Sequence, residues 1–220
     1  LYEDGTKIPL VVHWPNGVDR VAARGKSRSD LVSGIDITAS SLGLAGIELP
    51  EFMEGRDLFA ADFQPRQYVI SARDRMGNAI DRIRTVRSAK FRYIRNYKTD
   101  RALYQPQYRE GYATFTTLRE LLAAGKLSPL QSSYYDATHR PDEELYDLTR
   151  DPHQTINLAT DPKFASVLKA HRQRLEEWEN ETDDKGRYPE SRESLRLVFK
   201  TAKGRCVSPE YDFLKSEPSN

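Results

Sequence analysis

A single cysteine, Cys206, is all the thiol chemistry this chain contains. One cysteine excludes an internal disulfide and any metal site built from several cysteines. Charge of one sign is also lacking. The 34 Lys and Arg residues face 33 Asp and Glu, for a formal net charge of +1. That balance provides no strong field for nucleic acid or an anionic membrane. No apolar run approaches the roughly 20 residues that cross a bilayer. No internal repeat is present, and no signal peptide is visible, although a chain that begins at Leu1 in mid-pattern could not show one. Apolar residues make up 38% of the chain, below the range usual for globular domains. The expected core is adequate rather than generous, with a neighbour covering part of the surface. Its 220 residues allow one domain or slightly more, and the expectation is a piece of something larger.

The most informative stretch runs from Glu143 to Ala159, E-E-L-Y-D-L-T-R-D-P-H-Q-T-I-N-L-A. Glu144, Tyr146 and Leu148 alternate with Leu145 and Asp147, the period of a short half-buried strand. Asp151-Pro152 stops it, because proline cannot donate a ladder hydrogen bond. Asp161 then caps a helix with Pro162 at its first position. In that helix Phe164, Val167, Leu168, His171, Leu175 and Trp178 recur at helical spacing, so His171 is expected to be buried and hydrogen-bonded.

Ile8 to Pro15 reads as a strand buried on both faces, the kind found in parallel sheets, followed by a turn at Asn16-Gly17. Leu31 to Gly46 reads as a buried helix capped by Asp36 and stopped by Gly46. Glu3 and Lys7 are spaced for a structural ion pair, and His13 is expected to be packed or hydrogen-bonded. Arg66 to Ala72 reads as a further strand that runs into Arg73-Asp74-Arg75-Met76-Gly77-Asn78-Ala79-Ile80-Asp81-Arg82. Charges of both signs around a glycine suit a polar ligand, because guanidinium groups grip a carboxylate or sulfate through paired hydrogen bonds. The candidate substrate-binding residues are therefore Arg73, Asp74, Arg75, Asp81 and Arg82. The plainer alternative is a solvated loop with internal Arg-Asp pairs.

Ile83 to Asn96 reads as a hairpin turning at Ser88-Ala89, with one wet face. Tyrosines 97, 104, 108 and 112 dot a polar loop; Thr117 and Glu120 form a capping box for a helix ended by Gly125, and Ser128-Pro129 starts another. Asp183 to Ser194 is a charged linker, Leu195 to Phe199 a weak strand or helix, and Lys215 to Asn220 a fraying end.

Several of these strings resemble one family. L-Y-E-D-G-T-K-I-P-L-V-V-H-W-P, V-S-G-I-D-I-T-A-S-S-L-G-L-A-G-I, R-x-V-R-x-x-K-F-R-Y-I and E-L-Y-D-L with D-P-x-x-x-x-N-L-A are similar to the C-terminal part of the formylglycine-dependent sulfatases of the alkaline phosphatase superfamily. The T-F-T-T-L-R-E-L-L helix and the Y-Y-D stretch resemble the heparan N-sulfatase (sulfamidase) branch and its bacterial relatives. The likeness runs from about Leu1 to Asp183, and is weaker around Arg73.

The resemblance implies an α/β fold, the edge of a large mixed or parallel sheet over residues 1–80. A small antiparallel sheet packed by a C-terminal helix follows over 81–185, then a tail over 186–220. It implies hydrolysis of sulfate esters or sulfamates on a glycosaminoglycan-type sugar, with calcium and formylglycine as family cofactors. It implies a periplasmic, secreted or lysosomal location. The implied partners are a sulfated carbohydrate and the N-terminal catalytic portion of the same protein, with no nucleic acid or membrane. The nucleophile motif is absent: Cys206 is followed by Val-Ser-Pro-Glu, and no Asp-His or Asp-Asn pair occurs. No catalytic residue and no metal ligand is therefore assigned, and the isolated chain is expected to be inactive. The alternatives are a carbohydrate-binding or interaction module without chemistry, tested at Tyr104 and Tyr108, and a phosphoesterase of the same superfamily.

Overall fold

The computed structural model describes residues 1–14, 25, 27–203 and 205–215. In chain order the elements are α1 (Glu3–Thr6), α2 (Ile35–Leu44), β1 (Tyr68–Met76), β2 (Ala79–Ser88), β3 (Phe91–Asn96), α3 (Ala113–Ala123), α4 (Pro129–Ser133), β4 (Glu143–Asp147), α5 (Ala165–Glu181), α6 (Arg192–Thr201) and α7 (Asp212–Lys215). The strands form one antiparallel sheet in the order β1-β2-β3-β4.

Local chemistry sets this register. Gly77 and Asn78 make the two-residue turn between β1 and β2, where Met76 pairs with Ala79. Gly77 has a φ of 59°, which a two-residue hairpin turn with glycine in its first position requires. Between Arg73 and Arg75 the register shifts, with Asp74 alone facing Asp81 and Arg82, so that β2 carries a one-residue bulge. The second hairpin pairs Arg87 with Arg92 and Val86 with Tyr93, as the sequence pattern indicates. β4 lies beside β3 and is buried on both faces rather than one. Its outer edge is closed by the Asn157-Leu158-Ala159 segment. The Asn157 side chain accepts from the Leu145 N–H at 2.9 Å, and the Leu158 N–H donates to the Leu145 carbonyl at 2.8 Å.

One sheet face presents Val86, Tyr93 and Leu145 to Leu168 and Leu175 of α5. His171 is buried there as its spacing indicates; its Nδ1 lies 2.8 Å from the Val167 carbonyl and its Nε2 3.0 Å from Ser88 Oγ. Ile80, on the same face, packs with Leu195, Cys206, Tyr211 and Leu214. The opposite face carries Ile83, Ile94 and Tyr146 under Leu1, Tyr2 and Leu103. A sheet covered on both faces explains how 38% apolar residues still provide a core, since polar groups fill the rest of both interfaces.

Several local expectations change. Ile8 to Trp14 forms no strand, and Ile8, Val11 and Val12 are exposed, as is His13. A strand needs a neighbour for its N–H and C=O groups, and none is present among the described residues; Trp14 packs edge-on against Phe59 instead. The Asn16-Gly17 turn and residues 216–220 lie outside the described residues. Helix α2 exposes Ile35, Ile37 and Leu44 and buries Asp36, Ala39 and Ser40. Asp36 sits in its first turn, after Gly34 at the cap position. Its carboxylate accepts from the Ser33 and Arg56 N–H groups and from the Arg66 guanidinium at 2.5 and 3.1 Å.

Thr117 is inside α3, which begins after Tyr112 without a side-chain cap, whereas Ser128 and Gln131 form a capping box for α4. Leu195 to Phe199 lies within helix α6. Glu3 pairs with Arg87 at 3.0 Å and Arg92 at 2.7 Å, not with Lys7.

Candidate functional site

Alternation along β2 sends Arg82 and Arg84 to the α5 face and Asp81 and Ile83 to the other. On the α5 face the Arg84 guanidinium is fully buried. Its Nε and Nη2 donate to the two oxygens of Asp184 at 3.1 and 2.7 Å, and Nη2 lies 2.8 Å from Asp74. Burial pulls the Arg84 pKa down, but Asp184 and Asp74 outweigh it and raise it above the usual value. Burial likewise pushes the Asp184 carboxyl up, and Arg84 and Arg82 reverse that, holding it low. Asp184 is thus a buried partner rather than part of a charged linker. Arg82 donates to Glu179 at 2.7 Å and Asp184 at 3.1 Å, and its guanidinium lies 3.8 Å from the centroid of the Tyr97 ring.

The opposite face carries a second network. Arg140 Nη2 donates to both oxygens of Asp81 at 2.9 and 3.0 Å, and Arg73 Nη2 donates to Asp81 Oδ2 at 2.5 Å. Arg140 Nη2 also donates to Asn96 Oδ1 at 3.1 Å, and Asn96 Nδ2 donates to Glu144 Oε1 at 2.7 Å. Glu144 Oε2 accepts the hydroxyls of Tyr2 at 2.7 Å and Tyr146 at 2.6 Å. Burial, then the Glu144 charge, raises both tyrosine pKa values far above normal, so both hydroxyls stay protonated and donate. Beside this network lies a cleft of about 160 Å³, lined by Tyr2, Leu103, Leu130, Tyr134, Arg140 and Glu144 among others.

The five sequence-derived substrate candidates are therefore placed on a hairpin, not in a loop. Arg73, Asp74 and Arg75 belong to β1, and Asp81 and Arg82 to β2. Arg73 meets Asp81, Asp74 meets Arg84, Arg75 meets Glu190 and Arg82 meets Glu179 and Asp184. The structure brings together Arg73 and Asp81 and sends the other three to different partners. Gly77-Asn78 was the available signal, because such a pair flanked by β-formers marks a hairpin. Sequence reasoning missed Arg140, Asn96, Glu144 and Tyr2; nothing local marks them, since the hydrogen bonds that join these four to one another span 44 to 142 residues.

The residues present do not fit the family cofactors. Among the described residues no group of three or more His, Cys, Asp or Glu side chains could hold a metal ion. Cys206 is buried beside Ile80 and Tyr211, and burial pushes its thiol pKa up, the opposite of an activated nucleophile.

Known proteins match this arrangement in sequence. The family model described as N-sulphoglucosamine sulphohydrolase, C-terminal, matches residues 1–107. An ulvan-active sulfatase of Formosa agariphila is 32% identical over 212 residues, covering 95% of this chain and 34% of that protein. The human N-sulphoglucosamine sulphohydrolase is 30% identical over 198 residues, covering 84% of this chain and 38% of that protein. The solved structure of a 2-O GAG sulfatase superposes with a TM-score of 0.46 at 22% identity, over 70% of this chain and 26% of that one. The chain thus spans little more than a third of the length of the curated relatives it matches. A C-terminal sulfatase family model matches residues 1–107 and sulfatase relatives match most of the chain, so this chain belongs to the sulfatases and corresponds to a C-terminal portion of one.

Proposed function

We propose that the whole protein hydrolyses sulfate esters or sulfamates on a glycosaminoglycan-type sugar, and that this chain is a supporting flank rather than the seat of the chemistry. The observation that carries the reading is the 32% identity to an ulvan-active sulfatase over 95% of the chain. In this reading calcium and formylglycine are held elsewhere in the protein, and the N-terminal catalytic portion is this chain's first partner. The division into the end of a catalytic domain over 1–80, a sheet-and-helix unit over 81–185 and a tail belongs to the same proposal. The exposed apolar side chains of Ile8, Val11, Val12, Ile35 and Ile37 support it, because they form surface that a neighbouring domain would cover. A periplasmic, secreted or lysosomal setting is part of the reading as well. No helix among the described residues is long and apolar enough to cross a membrane.

Within this reading Arg73 and Asp81 remain the substrate candidates best placed to act. Asp81 accepts from Arg140, which lines the cleft, so the pair adjoins it. Asp74, Arg75 and Arg82 serve the fold through their ion pairs. The carbohydrate-binding alternative keeps its test residues: Tyr108 packs on Gly77 and Tyr104 against Tyr134 and Tyr135, and both are about half exposed.

The test compares the full-length protein with residues 1–220 alone, measuring sulfate release from N-sulfated and O-sulfated glucosamine. The full-length protein should release sulfate and the isolated chain none. Turnover by the isolated chain overturns the flank assignment, and no release by the full-length protein overturns the sulfatase reading.

A further inference from the structure

The cleft beside Glu144 has a size and chemistry that its neighbours leave unused. Its volume is about 160 Å³, and a cavity of about 150 Å³ is enough to take a six-membered carbon ring. Leu103, Leu130 and the rings of Tyr2 and Tyr134 supply apolar walls. Tyr2, Tyr134 and Tyr104 pack in series at centroid distances of 6.1 and 5.6 Å, so the aromatic wall is braced from behind. Such walls suit the C–H faces of a sugar ring, and the polar groups between them suit its hydroxyls.

One polar group lining the cleft has capacity to spare. Each carboxylate oxygen can accept two hydrogen bonds. Glu144 Oε2 already takes two tyrosine hydroxyls, but Oε1 takes only Asn96 Nδ2. One ligand hydroxyl can thus donate to Glu144.

Charge decides which part of a sugar substrate fits. Arg73 and Arg140 are balanced by Asp81 and Glu144, and Asn96 ties the two halves together. The network has no surplus positive charge with which to hold a sulfate, and an anion there would face the Glu144 carboxylate. We propose that this cleft binds one uncharged pyranose ring of the sugar chain, with Glu144 as its polar contact. The proposal rests on the reading of the protein as an enzyme acting on sugars.

The full-length protein is the material for the test, with N-acetylglucosamine and methyl β-glucopyranoside as neutral probes in saturation-transfer NMR. Leu130 is exposed at the cleft rim and outside the ion network, so Leu130→Trp fills the space, with an unchanged thermal midpoint as the folding control. The unsubstituted protein should show transfer to at least one probe, and Leu130→Trp should abolish it. KM for a sulfated oligosaccharide should rise about tenfold in the variant with kcat nearly unchanged, the size expected for losing one well-placed contact. No transfer to either probe, or a folded variant with unaltered transfer and KM, overturns the proposal. If the protein releases no sulfate from any sugar the sulfatase reading fails, while transfer that Leu130→Trp abolishes still upholds the cleft.

Discussion

Asp184 holds Arg84 with both of its oxygens, across 100 residues of sequence, at a position where the guanidinium is wholly out of solvent. This pair joins the segment after α5 to the middle of β2. Its third member, Asp74, reaches it from β1, opposite the bulge in β2, and is itself half-exposed.

Breaking that pair from one side should be costly. Asp184→Ala leaves Arg84 buried with the half-exposed Asp74 as its remaining charged partner, and removing one partner of a buried pair costs about 3–5 kcal/mol. Denaturant midpoints with an unchanged slope should show the loss. Replacing Arg84 and Asp184 together by Met and Leu should cost less than Asp184→Ala alone, because no uncompensated charge is left buried.

Gly186 guards the same pair. An added Cβ would fall 1.9 Å from Arg84 Nη2 and 2.5 Å from Asp74 Oδ1. Gly186→Ala should therefore destabilise by about 1–3 kcal/mol, the range for overpacking. Gly5, whose Cβ would meet nothing within 4 Å, is the control, and Gly5→Ala should leave the thermal midpoint nearly unchanged.

Asn157 closes the β4 edge. It accepts from Leu145 and Ala159 and donates to the Glu143 carbonyl. Asn157→Ala should cost about 1–3 kcal/mol because backbone groups lose their partners. Asn157→Asp keeps both acceptor roles, loses the donor and should fall in between. Hydrogen exchange of the Leu145 amide should accelerate most in Asn157→Ala.

Acid should weaken the fold in two steps. Burial lowers the His171 pKa from its usual 6.5, outweighing the Val167 carbonyl. A depressed folded value means the His171 contribution is complete above about 6.5 and is lost as pH falls below it, because the unfolded chain takes up the proton first. Glu3, Asp36 and Asp184 are also depressed: burial pushes each up, and its arginine partners outweigh that. Their contribution is present above about pH 4 and is lost as pH falls through their folded values. The denaturant midpoint should drop modestly from about pH 7 to about pH 5.5 and steeply below about pH 4. In His171→Asn the first drop should shrink.

What the sequence determined by itself is local. The hairpin around Ser88, the E-L-Y-D strand, the Asp161-Pro162 helix start and the burial of His171 follow from side-chain period and backbone chemistry within a few residues. The family likeness was legible for a related reason, since its strings are short and contiguous. Tertiary structure decided the rest. Whether Ile8–Trp14 becomes a strand depends on a neighbour supplying the other half of its hydrogen bonds. Whether Arg82 faces a ligand or a carboxylate depends on Glu179 and Asp184, which only folding brings near, whereas Arg73 meets Asp81 across the hairpin. A charged side chain has the same sequence appearance exposed or paired, and burial with a distant partner is what separates the two.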